Sequence, residues 1–96
     1  MKKFMILHLG FEEPTPEVRK AWGDWFAEIG PLLVDSGNPF ITGREVTKTG
    51  SSDLPRGPGA ITGYCIVNAE SMDDAEKLLE NCPIIDSVRI YEAASM

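Results

Sequence analysis

Hydrophobic positions recur along this chain with two periods, near two and near three and a half, and the switches between them mark its elements. Phe4 to Leu9 is a short apolar run broken only by His8 and closed by Gly10 and Glu12-Glu13-Pro14-Thr15-Pro16, which predicts a buried first strand. A helix is expected next. Thr15 can cap it, Pro16 suits a first helical position, and Glu17 meets the positive end of the helix dipole. Val18, Trp22, Trp25, Ile29 and Leu32 or Leu33 then follow at spacings of three and four, while Arg19, Lys20, Asp24 and Glu28 fall largely elsewhere. That is the pattern of a helix lying on a sheet. Pro31 lacks an amide and crowds the turn before it, so the helix either kinks at Gly30-Pro31 or stops and restarts as a short turn through Val34.

Asp35-Ser36-Gly37-Asn38-Pro39 is a turn cluster, and Phe40 to Val46 has the β-branched and aromatic character of a second strand, with Gly43 marking a bulge or a close backbone approach. Lys48 through Gly59, rich in Gly, Ser and Pro, reads as one long flexible loop. Ile61 to Val67 is the clearest strand, the third. Ser71 and Asp74 have capping-box spacing ahead of a second helix with Ala75, Leu78, Leu79 and Cys82 on its apolar side, and Pro83 ends it. Val88 to Ala93 alternates as a fourth strand.

Strand-helix-strand, repeated once within residues 1–96, is the split βαβ order of a single α+β domain. Right-handed crossovers put both helices on one face of a four-stranded antiparallel sheet. The strands are apolar at both parities: Phe4 and Ile6 alternate with Met5 and Leu7, and Cys65 and Val67 with Tyr64 and Ile66. A sheet with two apolar faces needs a second cover, and in so short a chain another copy of itself supplies it, which predicts a homodimer.

Composition narrows the partners. The 96 residues carry a formal net charge of −6 with 43% hydrophobic and 25% charged residues, a globular balance. Nucleic acid and anionic membranes are disfavoured, because the nine basic residues are dispersed with no run beyond Lys2-Lys3. The apolar stretch after Met1 is too short for a signal peptide and lacks a small-residue cleavage site. Cys65 and Cys82 make neither a disulfide framework nor a metal-ligand spacing, so the expected setting is the reducing cytoplasm, with no metal and no cofactor.

Several stretches together resemble the YCII-related (DGPF-domain) family over nearly the whole chain: Ala21-Trp22-Gly23-Asp24-Trp25-Phe26, Leu33 to Pro39, Gly63 to Val67, Ala69 to Ala75 and Asn81-Cys82-Pro83. The resemblance implies a ferredoxin-like fold forming a dimeric α/β barrel, with a His-Asp pair as its proposed catalytic centre. Asp35 looks like the acidic member. The histidine implied earlier on helix one is absent, and Trp25-Phe26 occupy that region.

His8 is the sole histidine, so imidazole acid-base chemistry must use it; it is either a base or ligand contact in a cleft, or a half-buried ring satisfied by a neighbour. Asp35 either orients His8 or bonds the amides of its own turn. Arg44 is a candidate to grip a carboxylate, and Tyr64 to donate its phenol into a pocket or to fill the dimer interface. Trp22 and Trp25 read as core; Arg56 in the loop either grips a carboxylate as Arg44 would or, the favoured reading, is a solvated surface group. Arg56-Gly57-Pro58-Gly59 lacks the spacing of a phosphate cradle. The functional expectation is a small polar molecule bound in a cleft where His8, Asp35, Arg44 and Tyr64 meet, with or without His/Asp proton transfer. The alternative is a non-catalytic dimerisation or regulatory module.

Overall fold

In the computed structural model, which describes residues 1–95, strand β1 (Lys2–Leu9) is the centre of the molecule. It pairs antiparallel with β5 (Ile61–Ala69) on one side and β6 (Ser87–Ala93) on the other. A three-residue strand β2 (Leu33–Asp35) adds to the far edge of β5, giving a four-stranded antiparallel sheet in the order β2-β5-β1-β6. Helix α1 (Pro16–Ile29) connects β1 to β2, and α2 (Met72–Lys77) connects β5 to β6. The fold is α+β, as the periodicity implies.

Local chemistry sets the helix boundaries. The Thr15 hydroxyl accepts the Val18 amide at 3.2 Å, with Pro16 as the first helical residue, and Ser71 caps α2 by accepting the Asp74 amide at 3.1 Å. Helix α1 stops at Ile29, and Gly30–Leu32 tightens into a single 3-10 turn. Pro31 thereby ends the helix instead of kinking it. Beyond Lys77, successive i to i−3 amide bonds carry the chain through Leu78, Leu79, Glu80 and Cys82, so α2 is shorter than its apolar spacing suggests.

The second strand lies elsewhere than expected. Leu33, released by the Pro31 turn, pairs with Val67 and adds its side chain to the core, so the sheet is completed by Leu33–Asp35 and not by Phe40 to Val46. Pro39 and Phe40 still follow the edge of β5, through a bridge to Gly63 and a Phe40 amide bond to the Thr62 carbonyl at 2.8 Å. The chain then leaves the sheet. Gly43–Thr47 (β3), which overlaps the end of the expected second strand, and Gly50–Leu54 (β4), which lies in the expected loop, form a separate two-stranded hairpin, every one of their residues exposed. This arm stretches the molecule to 41 × 40 × 18 Å and its radius of gyration to 14.4 Å, against about 12.5 Å for a compact chain of this length.

Alternation along β1 and β5 sorts their side chains. Phe4, Ile6, Cys65, Val67 and Ala69 turn toward the helices and join Trp25, Ile29 and Ala75 in one buried core. Met5, Leu7, Tyr64 and Ile66 turn to the other face, beside Tyr91 at 56% exposure and Val34 at 46%, and no element covers them. Among the described residues no helix is long and apolar enough to cross a membrane.

Candidate functional site

Where β1 ends, the helix-side face of the sheet opens into a cavity of about 370 Å³. Its floor is the paired His8 and Gly63 of β1 and β5. Trp22 and Phe26 of α1 form one wall, Phe11 and Phe40 stand in the segments that follow β1 and β2, and Ile84, Ile85 and Val88 close the side toward β6. Four aromatic side chains thus surround a space in the size range of small-molecule sites. Helical spacing puts Trp22 and Phe26 one turn apart on the same face of α1.

His8 sits in an aromatic cluster, its ring centroid 5.0 Å from Trp22 and 5.9 Å from Trp25, both edge to face. Neither Nδ1 nor Nε2 has a hydrogen-bond partner, and neither reaches solvent. Burial lowers its pKa to about 4, so the ring is neutral near pH 7. An imidazole with no partner at either nitrogen is a costly thing to bury, at about 1–3 kcal/mol for an unsatisfied polar group. Trp25, by contrast, is satisfied: its indole N–H donates to the Leu78 carbonyl at 2.7 Å while the ring is 1% exposed.

The candidate residues are divided between the two faces of the sheet. Asp35 lies opposite Ile66, on the uncovered face, where its Oδ1 accepts the Gly37 amide at 2.8 Å and its Oδ2 the Tyr64 hydroxyl at 3.2 Å. The register shift between Leu33 and Asp35 keeps it from His8, whose side chain points to the helices. No His8–Asp35 dyad forms in this arrangement, and Asp35 does not line the cavity. Tyr64 borders the cavity but aims its hydroxyl at Asp35, and its ring stacks on Phe40 at 5.6 Å between centroids. Arg44 is on the hairpin arm, paired with Asp53 at 3.2 Å, and does not line the cavity. Of the four, His8 faces the cavity, Tyr64 borders it with its hydroxyl turned to Asp35, and Asp35 and Arg44 do not line it.

Arg56, for which the sequence favours a solvated surface role over a carboxylate grip, is the basic residue that borders the cavity. Its guanidinium lies 4.5 Å over the ring of Phe11 and donates to the Phe40 carbonyl at 3.3 Å. Among the described residues no carboxylate approaches it within salt-bridge distance. The chain turns at Gly57 and Gly59, with φ of 137° and 81°, and Ala60 then accepts the Gly10 amide at 2.8 Å. No sequence spacing links Arg56 to Phe11, and only the fold joins them.

The two thiols offer no nucleophile. Burial first, then the Asp35 charge, raises the Cys65 pKa to about 11, and burial with Cys65 nearby raises that of Cys82 to about 12. Among the described residues no three His, Cys, Asp or Glu side chains gather as metal ligands would. Compared with protein-family models, with curated proteins and with solved structures, the chain matches none of them.

Proposed function

We propose that this chain is a small-molecule-binding domain whose ligand enters the aromatic cavity between the sheet and α1. The observation that carries the reading is His8: a neutral imidazole with two unpartnered nitrogens in the floor of a cavity of about 370 Å³. Native structures seldom leave such a group unsatisfied without a use for it. A turn of the imidazole as the ligand enters gives one nitrogen a partner. With no carboxylate to orient it, His8 acts as a hydrogen-bonding contact, and the reading is of binding before catalysis.

The proposal includes the assembly. In this reading the sheet β2-β5-β1-β6 belongs to a ferredoxin-like fold, and two chains pack their uncovered faces together as a dimeric α/β barrel of the YCII-related kind. Magnitudes support a partner: the chain exposes 6791 Å², whereas a monomer of 10.5 kDa exposes about 5,400 Å². The exposed hairpin arm and the uncovered sheet face share this surplus of roughly 1,400 Å², against the ~800 Å² each partner gives to a standard interface. The same surplus favours the second reading, a dimerisation module whose cavity has no ligand.

A thermal-shift screen of small carboxylates and neutral aromatics, repeated on His8→Leu, separates the two. Binding predicts stabilisation by some compounds, weakened in the variant, together with shifts of the His8 and Trp22 ring resonances. A screen in which no compound moves either the melting temperature or those resonances overturns the binding reading.

A further inference from the structure

Resting on the binding reading above, we propose that the cavity selects a small planar aromatic acid, its carboxylate taken by Arg56 at the mouth and its ring lodged between the aromatic walls.

The argument begins with the inventory of charge. His8 is neutral, so the cavity's charged neighbours are Arg56 and Glu12. Glu12 does not neutralise Arg56, since no carboxylate lies within 4.0 Å of the guanidinium among the described residues. Arg56 is nevertheless held in place, by the Phe11 ring beneath it and the Phe40 carbonyl beside it. A guanidinium presents five N–H donors, and the Phe40 carbonyl takes one at 3.3 Å. The rest form a fork matched to a carboxylate, already oriented before a ligand arrives.

The residues that hold Arg56 also bound the cavity. Phe11 and Phe40 each line it, so an anion on the guanidinium has its attached body directed along aromatic surface toward Trp22 and Phe26. Those walls are apolar and ring-shaped, which suits a flat unsaturated body over a sugar or a polyol. The chain's net charge of −6 repels anions in general. A carboxylate must therefore be recognised by contact and not by the field of the protein.

The test is titration of the full-length protein with benzoate, methyl benzoate and benzamide, followed by calorimetry and by the Trp22 indole resonance. The expected result is that benzoate binds about tenfold more tightly than its ester or amide, the size of a charge-assisted hydrogen-bonded pair at a partly exposed site. Arg56→Gln removes that preference while the neutral compounds bind as before, and Arg56→Lys restores only part of it. Equal affinity for acid, ester and amide, or an unchanged benzoate affinity in Arg56→Gln, overturns the acid preference and leaves the binding site standing. Failure of all three compounds to move Trp22 sinks both.

Discussion

His8 makes stability depend on pH in a direction that can be worked out. The unfolded ring titrates at its ordinary value of 6.5, whereas burial lowers the folded value to about 4. Between those limits the unfolded chain binds a proton that the folded one refuses, so stability falls as pH falls from 6.5 toward 4. The complete loss, below pH 4, corresponds to about 3.4 kcal/mol at 1.36 kcal/mol per pKa unit. Between pH 7 and pH 5 the same linkage removes about 1.9 kcal/mol. The His8 residue as a whole is only half-buried, and solvent screening reduces this to about 1–2 kcal/mol.

The perturbation is His8→Leu, which fills a similar volume and cannot titrate. Carboxylates that titrate in both proteins cancel in the difference between them. Urea unfolding at pH 7, 6 and 5, followed by the fluorescence of Trp22 and Trp25 at one protein concentration, should show the variant gaining about 1–2 kcal/mol on the wild type as pH falls. At pH 7 the variant should already equal or exceed the wild type, because it no longer buries two unsatisfied nitrogens. A difference that stays constant across these pH values refutes the reasoning. So does a wild type that gains on the variant in acid, the mark of an imidazolium paired with a carboxylate.

Other perturbations probe the rest of the frame. Gly37→Ala should cost at least about 2 kcal/mol by chemical denaturation, since Gly37 has φ of 71° and a Cβ there would stand 1.7 Å from the Tyr64 carbonyl oxygen; a cost below 0.5 kcal/mol would contradict it. Trp25→Phe should cost about 2–4 kcal/mol, combining a cavity with the loss of the indole bond to Leu78. Tyr91→Glu, on the uncovered face across from Met5, should convert a dimer to a monomer in analytical ultracentrifugation; a wild type that is monomeric at micromolar concentration ends the barrel proposal.

Helix starts and the central strands were legible because short-range chemistry writes them. Thr15 and Ser71 each cap the helix their spacing predicts, and Phe4 to Leu9 and Ile61 to Val67 lie within β1 and β5. Propensity favours Phe40 to Val46 as the second strand of the sheet, but Gly43–Thr47 goes to the hairpin and pairing favours Leu33, whose side chain reaches the core once Pro31 has ended α1. The hairpin arm hid within Ser-, Gly- and Pro-rich sequence. In it Thr47 hydrogen-bonds the Gly50 carbonyl at 3.2 Å and the backbone ladder does the rest, with no apolar alternation to announce it.

For the candidate site, one residue type stood out in the sequence and its neighbours did not. His8 was visible as the sole imidazole, and its position on a buried strand was readable from period. Its separation from Asp35 follows from strand register: Asp35 pairs with Ile66 after a bulge, and one residue of slip exchanges the faces of a sheet. Sequence alone therefore determined where the helices start and where the two central strands lie, and that the sheet is apolar on both faces, because these rest on interactions within a few residues. Tertiary structure alone decided that Trp22, Phe26, Phe11, Phe40 and Arg56 meet around one cavity, because that convergence depends on long-range pairing that no local spacing records.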